Sequence, residues 1–198
     1  MWCFNRNKKK IVKPNIIWLD ETDSTNNYLK NYVPASDEKI SVVVADYQKA
    51  GRGQGENTWE SESGKNLLFS ILVHPVMVPV HCQFLLSMAE ALALKEVLDK
   101  YTDGITLKWP NDIYWNDKKI GGTLIETTLG GGHIKNCIFG TGIDVNQTEF
   151  KSSAPNPVSL KNIIGNDVDR KKLMDEIVTA FTKYYAMIER SEEHTSEL

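Results

Sequence analysis

Short apolar runs alternate with two longer helical patterns along this chain. Residues 42–45 and 67–73 are continuous runs rich in β-branched and aliphatic side chains, which is typical of buried strands. Residues 81–101 carry apolar side chains at helical spacing, and a second such pattern runs from about residue 170 to residue 189. These patterns predict a sheet covered by at least two helices.

The remaining predicted elements are short. Residues 16–19 predict a first strand, and the polar series from Asp23 predicts the start of a short helix. Further strands are predicted at 105–107, 113–115, 121–128 and 134–145, the last two joined by a glycine turn. Strands paired through hairpins and covered by helices predict an α+β domain with a mixed or antiparallel sheet.

Each long helix is predicted to bury one apolar face. For the first helix this face consists of Phe84, Leu85, Met88, Leu92, Leu94 and Leu98. For the last helix it consists of Leu173, Ile177, Phe181, Tyr184 and Ile188.

Composition and charge narrow the class of protein. The 198 residues include 23 Lys and Arg against 26 Asp and Glu, a net charge of -3 that argues against nucleic acid as a general partner. No apolar run reaches the roughly 18–20 residues that span a bilayer, so no membrane association is expected. Three cysteines without metal-ligand spacing favour a reducing compartment. We therefore expect a cytoplasmic protein.

Both ends of the chain differ from the rest. Residues 1–14 hold five basic side chains and no acid, and we assign this extension no function. Residues 190–198 resemble the translation of a sequencing-library adapter, so we expect them to be an artefact and the natural chain to continue past residue 189. The alternative is a genuine polar end. Residues 15–189 form the expected catalytic domain.

The first candidate motif is the glycine-rich segment from Gly51 to Gly55. A dinucleotide fingerprint would need glycine where Glu56 stands, and no P-loop spacing is present. Such a loop can close its backbone N–H groups on an anion, with Arg52 as a bidentate partner. A surface loop with a solvated arginine is the alternative.

The second candidate motif is Lys108-Trp109-Pro110-Asn111-Asp112. A lysine beside a rigid Trp-Pro step can meet a phosphate or carboxylate as a point charge. Asparagine and aspartate oxygens suit Mg²⁺ or a ribose hydroxyl. A simple turn, with Pro, Asn and Asp in favoured positions, explains the same residues.

Two further signals are weaker. Glycines at 121, 122, 140 and 142 stand inside predicted strands, where they indicate either close approach of a ligand or another backbone, or β-bulges. Ser24, Thr25 and Asn26 stand at a helix start, for which capping is the ordinary explanation.

Taken together and in order, these motifs resemble the biotin–protein ligases over residues 16–189. The matching segments are Glu21-Thr22-Asp23-Ser24-Thr25-Asn26, Gln48-Lys49-Ala50-Gly51-Arg52-Gly53, Lys108-Trp109-Pro110-Asn111-Asp112, Lys119-Ile120-Gly121-Gly122 and Gly140-Thr141-Gly142-Ile143-Asp144-Val145-Asn146. The resemblance implies the fold shared by these ligases and the class II aminoacyl-tRNA synthetases. It also implies a two-step reaction, in which biotin and MgATP give biotinoyl-5′-AMP and a carrier lysine then takes the biotinoyl group.

The resemblance also implies roles for particular residues. Lys108 and Arg52 are the catalytic candidates. The implied biotin contacts are Ser24, Thr25, Asn26, Gln48, Gly51, Arg52, Gly53, Gln54, Lys108, Gly121, Gly122, Gly140 and Gly142. The implied ATP contacts are Arg52, Lys108, Asn111, Asp112 and Asn146, with Asp112 as the candidate for Mg²⁺.

The sequence departs from the family pattern in three places. Gln54, Gly55 and Glu56 stand where many relatives carry further basic residues and then glycine, which predicts a looser grip on the adenylate. No helix-turn-helix segment precedes Ile16, so no operator binding is expected. The family usually has an SH3-like C-terminal domain, and we do not expect one within these 198 residues.

The resemblance implies the biotin carboxyl carrier domain of acetyl-CoA carboxylase, or of a related carboxylase, as the partner. A homodimer stays open. The rival hypotheses are a lipoate or octanoate transferase of the same superfamily and a non-catalytic module that binds biotin or biotinoyl-adenylate.

Overall fold

The computed structural model describes residues 14–151 and 156–195, with side chains up to residue 190. The expected basic extension lies outside the described residues except for Pro14. Of the expected artefact at 190–198, the structure describes the backbone to Thr195. The last helix continues to that residue rather than ending near residue 189, and the foreign origin of the segment stays a prediction.

The strands are β1 (Ile16–Thr22), β2 (Ile40–Gln48), β3 (Leu67–Val73), β4 (Ile105–Lys108), β5 (Asp112–Trp115), β6 (Lys118–Gly130) and β7 (His133–Ile143). The helices are α1 (Thr25–Lys30), α2 (Gln83–Leu98), α3 (Leu160–Ile164) and α4 (Arg170–Thr195), and a 3₁₀ turn at Val80–Cys82 precedes α2.

The seven strands form one sheet in the order β1-β2-β3-β7-β6-β5-β4. β1 runs parallel to β2, and every other neighbouring pair is antiparallel. The sheet is therefore mixed, which confirms the predicted α+β class.

Successive side chains of a strand point to opposite faces, so the sheet has two different sides. One side packs against α2 and α4, where Phe139 of β7 meets Phe181 of α4 with ring centroids 5.4 Å apart. The other side carries α1 over a smaller cluster of Leu29, Val43, Leu72 and Ile138. Because Gly140 and Gly142 alternate with the core-facing residues of β7, they lie on this second side.

The predicted buried face of α2 is partly wrong. Its first four members are largely exposed, namely Phe84, Leu85, Met88 and Leu92. Leu94 and Leu98 are buried as predicted, and the helix also buries Leu86, Ala89, Glu90, Ala93 and Val97. Hydrophobic spacing could not predict this face, because it contains small residues and a carboxyl group that pairs with threonines of the sheet.

The predicted face of α4 is confirmed. Leu173, Ile177, Phe181 and Ile188 are buried, and Tyr184 is partly buried against the same core. Among the described residues, no helix is long and apolar enough to cross a lipid bilayer.

Candidate active site

A cavity of about 410 Å³ opens on the glycine-bearing side of the sheet, between α1, β6, β7 and the loop that follows β2. Most of the predicted site residues line it, although they come from distant parts of the sequence. These residues are Ser24, Thr25, Asn26, Gln48, Arg52, Gly53, Gln54, Asn111, Asp112, Gly122, Gly140 and Gly142. The cavity therefore unites all five of the motifs that the sequence separates.

The start of α1 presents polar groups to the cavity. Ser24 occupies the N-cap position, but its side chain makes no capping hydrogen bond. The backbone N–H and the hydroxyl of Thr25 both donate to Oε1 of Gln48, at 2.7 and 3.1 Å. Since that oxygen is occupied twice, the Gln48 amide offers its nitrogen as a donor to a ligand. Capping therefore does not explain this motif.

Asn26 offers the opposite kind of group. Its amide nitrogen donates to Oε2 of Glu126 at 2.8 Å, with a longer contact of 3.4 Å to the carbonyl of Leu124. Its oxygen accepts from the hydroxyl of Ser70 at 2.6 Å and retains a second lone pair. The site therefore holds a donor at Gln48 and an acceptor at Asn26.

Ser70 is a site residue that sequence reasoning missed. It is fully buried on β3, directly opposite Gly140 of β7, and its hydroxyl lies 2.7 Å from that of Thr25. The signal was present, because Ser70 is the one hydroxyl in the apolar run Leu67–Val73.

The glycines form a floor without side chains. A Cβ at Gly140 would overlap the side chain of Asn26, and one at Gly142 would overlap the indole of Trp59. The β6–β7 pairing is unbroken through all four glycines, whereas the β5–β6 register shifts next to Gly121. Close approach therefore explains Gly140 and Gly142, and a bulge accompanies Gly121.

The loop after β2 is a small folded hairpin rather than a free surface loop. Gly53 donates to the carbonyl of Asn57 at 2.7 Å, and Trp59 donates to that of Gly51 at 3.0 Å. A Cβ at Gly51 would lie 2.6 Å from the carbonyl oxygen of Trp59, so this position requires glycine. Gly51 itself is buried beside the cavity rather than lining it.

Arg52 projects from this hairpin onto the body of the domain. Its guanidinium lies 3.1 Å from Oε2 of Glu126 and 3.1 Å from Oδ1 of Asn27. Arg52 stays exposed to solvent, but its guanidinium is paired with Glu126 and Asn27.

The two lysines next to the cavity differ in position. Lys108, the catalytic candidate, is exposed at the end of edge strand β4, with its ammonium 4.9 Å from the ring centre of Tyr114, a residue that lines the cavity. Lys119 lines the cavity itself, and its ammonium lies 2.6 Å from Oδ1 of Asp112. Lys119 belongs to a recognised motif, but sequence reasoning gave it no role.

Two other predicted residues lie outside the cavity lining. The side-chain amide of Asn146 makes two hydrogen bonds with the backbone of Val168. It accepts from the N–H at 2.9 Å and donates to the carbonyl at 3.0 Å. Gly121 lies behind the lining, with its Cβ position 2.8 Å from the carbonyl oxygen of Gly142. Asn146 thus supports the loop before α4 in this structure.

Asp144 adds a buried carboxyl to the cavity. Burial raises the pKa of this group well above its ordinary value; the nearby Glu60 carboxylate adds to the shift, and Lys119 opposes it. Oδ1 of Asp144 accepts from the amide of Asn66 at 3.0 Å.

The geometry describes the kind of ligand that fits. One end of the cavity offers paired amide and hydroxyl groups, glycines lie beneath Asn26 and the Trp59 indole, and the other end carries Lys119 and Asp112 with Lys108 nearby. A ligand with a flat polar head, a thin apolar chain and an anionic end matches this order.

Comparison with known proteins gives consistent matches. A profile of the "Biotin/lipoate A/B protein ligase family" matches residues 18–144. The bifunctional ligase/repressor BirA of Bacillus subtilis is 30% identical over 185 residues, which cover 90% of this chain and 56% of that protein. The chain thus spans little more than half the length of this relative.

Solved structures agree with this match. The biotin protein ligase of Aquifex aeolicus in complex with biotin and ATP superposes with a TM-score of 0.72 at 33% identity, covering 86% of this chain and 69% of that one. The biotin protein ligase of Leishmania major in complex with biotinyl-5-AMP gives 0.67 at 26% identity, covering 85% and 73%. The mixed sheet described above is shared with these catalytic domains.

Proposed function

Since this chain belongs to the biotin/lipoate A/B protein ligase family, we propose that it joins biotin to a lysine of a biotin carboxyl carrier domain. The reaction runs through biotinoyl-5′-AMP and consumes ATP. The observation that carries the proposal is the hydrogen-bond network of Gln48, Thr25 and Asn26 beside the glycine floor.

This network suits the ring head of biotin. A ureido group carries one carbonyl acceptor and two N–H donors, which pair with the Gln48 amide nitrogen and the Asn26 oxygen. Ser24, whose hydroxyl makes no capping bond, supplies a group that serves as donor or acceptor. The valeryl chain then passes beside Asn26 and Trp59, which lie directly over Gly140 and Gly142; a side chain at either glycine would push them into its path.

The cationic end suits the chemistry of the first step. The biotin carboxylate oxygen attacks the α-phosphorus of ATP, an acyl–phosphate bond forms, and pyrophosphate leaves with the electron pair of the broken P–O bond. Two anions must meet, so cations at the junction favour both binding and the transition state. Lys108 is our candidate at this end, and Lys119 stands in the cavity for the same purpose. Arg52, the second catalytic candidate, is held near the head-group end by Glu126 in this structure.

In the second step the carrier lysine, as the free amine, attacks the acyl carbon. An amide bond forms, the acyl–phosphate bond breaks, and AMP leaves. The hairpin that carries Arg52 covers the site and protects the mixed anhydride from water.

Magnesium enters with the nucleotide in this proposal. The described residues contain no cluster of three or more His, Cys, Asp or Glu side chains that could hold a metal by itself. Asp112 fits the usual arrangement for Mg²⁺, in which one or two carboxylates bind an ion that also holds substrate phosphates. The ion would supply neutralisation of phosphate charge. Asn111, which precedes Asp112 in the chain, donates its side-chain amide to the carbonyl of Thr123 at 2.6 Å.

The partner is a biotin carboxyl carrier domain of acetyl-CoA carboxylase or a related carboxylase. We infer a cytoplasmic location, because the reaction consumes ATP and both described cysteines, Cys82 and Cys137, are free thiols. A homodimer stays a prediction that sedimentation analysis can test.

A lipoate or octanoate transferase is the second candidate enzyme. A dithiolane ring or an alkyl chain offers no N–H or carbonyl to Gln48 and Asn26, and leaving buried polar groups unpaired is costly. Biotin therefore fits this cavity better.

The test is pyrophosphate release with biotin, lipoate or octanoate as the acyl donor. Of the three acyl donors, we expect only biotin to drive pyrophosphate release from ATP. Lys108→Ala should abolish this release while biotin binding persists. Release driven by lipoate or octanoate would overturn the substrate assignment. Wild-type turnover in Lys108→Ala would remove that lysine from the catalytic role.

A further inference from the structure

Glu126 on β6 joins two residues of α1 to an arginine of the loop after β2. Its Oε1 lies 2.8 Å from the ammonium of Lys30 in α1. Its Oε2 accepts from the Asn26 amide at 2.8 Å and from the Arg52 guanidinium at 3.1 Å. One carboxylate oxygen therefore contacts both a candidate head-group residue and the candidate arginine of the loop.

We propose that Glu126 is a positioning residue for biotin binding, in that its Oε2 sets the orientation of the Asn26 amide and anchors the Arg52 loop over the site. This inference rests on the function proposed above. Glu126 does not line the cavity, so it acts through its neighbours rather than on the ligand.

The orientation of Asn26 depends mainly on Glu126, because Ser70 pairs with either end of the amide and the Leu124 carbonyl, a further acceptor, lies at the longer distance of 3.4 Å. The hydroxyl of Ser70 can donate to an oxygen or accept from a nitrogen, so it pairs with Asn26 in either orientation. An ionised carboxylate only accepts hydrogen bonds. Glu126 thus requires the Asn26 nitrogen on its side and leaves the Asn26 oxygen for Ser70 and the ligand.

The surroundings keep Glu126 ionised. Burial alone would raise its pKa, but the hydrogen bonds from Lys30 and Asn26 and the charge of Arg52 outweigh burial, and the net pKa is lowered. The carboxylate is therefore the stable form near neutral pH. The cluster of Lys30, Arg52 and Glu126 holds two positive charges and one negative charge, so the cluster still attracts a negatively charged ligand.

Anchoring of the loop follows from the same oxygen. The hairpin closes on itself through Gly51 and Trp59, and Arg52 ties it to the domain through Glu126 and Asn27. Without the Glu126 carboxylate, Arg52 would keep only the neutral side chain of Asn27 as a partner from this pair. We therefore expect a looser loop and faster escape of the adenylate.

The first experiment compares Glu126→Gln with Lys30→Met, using biotin-dependent ATP–pyrophosphate exchange. Glutamine offers one acceptor oxygen where the carboxylate offers two, so an N–H₂ group faces either Lys30 or the pair of Asn26 and Arg52, and the charge that holds Arg52 is lost. We therefore expect the KM for biotin to rise about tenfold to a hundredfold, with a smaller change in kcat. Lys30→Met vacates Oε1 alone and should keep this KM within about threefold. Released adenylate should increase in Glu126→Gln and not in Lys30→Met.

A double-variant cycle separates positioning from general damage to the fold. In an Asn26→Ala background, Glu126→Gln should change the KM for biotin by less than about threefold, because the residue through which Glu126 acts on the head group is gone. The increased release of adenylate, which depends on Arg52, should persist in that background. A full and additive effect on the KM in that background would overturn the proposal. So would a wild-type KM in Glu126→Gln. If the unmodified chain shows no biotin-dependent exchange at all, the proposed function itself has failed, which is a distinguishable result.

Discussion

Glu90 gives a sharp prediction about stability, because it is a carboxyl group in the core beneath the cavity floor. It is 4% exposed on the buried face of α2, and Oε1 accepts from the hydroxyls of Thr123 and Thr141 at 2.8 Å each. Both hydrogen bonds come from neutral groups. Burial raises the pKa of Glu90 to about 7, and the two threonine hydrogen bonds limit the rise.

The sign and size of the effect follow from proton linkage. The folded protein binds the Glu90 proton more tightly than the unfolded chain, whose carboxyl has a pKa of 4.5. The contribution of this group to stability is therefore complete below about pH 4.5 and is lost as the pH rises through about 7. At about 1.4 kcal/mol for each unit of pKa, the loss above pH 7 is about 3 kcal/mol.

Glu90→Gln keeps the acceptor oxygen and removes the titration. We expect the variant to match the wild-type protein near pH 4.5 and to exceed it at pH 8 by about 3 kcal/mol, or roughly 6–12 °C in Tm for a chain of this size. Urea denaturation at a series of pH values measures the difference directly. Parallel stability curves for the two proteins between pH 5 and 8 would refute the buried position of Glu90 and the face assigned to α2.

Glu96 on the same helix provides a control of opposite sign. Hydrogen bonds from Lys183 and Tyr184 lower the pKa of Glu96. Glu96→Gln should therefore lose stability at pH 8, and the loss should disappear in acid. If Glu90→Gln and Glu96→Gln both raise stability at pH 8, the cause would be the loss of negative charge in general rather than the burial of Glu90.

Two other predictions concern the head-group site. Gly140→Ala should raise the Kd for biotin at least about tenfold, because the new methyl group displaces Asn26. Gly131→Ala, in a turn with open space around it, should change stability alone; equal biotin Kd values for the two variants would contradict the account of the floor. Ser70→Ala should weaken biotin binding about tenfold in isothermal titration calorimetry, since it removes a buried hydroxyl within hydrogen-bond distance of both Thr25 and Asn26. An unchanged Kd would show that Ser70 has no part in the site.

The sequence predicted the strands and the close contacts at the strand glycines, because both depend on local pattern. Residues 67–73 were predicted as a strand with the bounds that the structure has, and Gly140 and Gly142 do lie where other groups approach closely. The motifs also converge on one cavity, although spacing alone could not place them there.

Other features depend on packing and escaped the sequence. The buried face of α2 contains Ala89, Glu90 and Ala93, which hydropathy scores as weak or polar. Glu126 and Ser70 stand outside any motif, and their importance comes from partners that are distant in the chain. The different placements of Lys108 and Lys119 follow from strand edges and could not be derived from residue type.

The most direct test is to incubate the 198-residue chain with ATP, Mg²⁺ and labelled biotin, with and without a carrier domain. We predict labelled adenylate in both reactions and label on the carrier in the second. Bound biotin without any adenylate would contradict a ligase and favour a module that only binds its ligand.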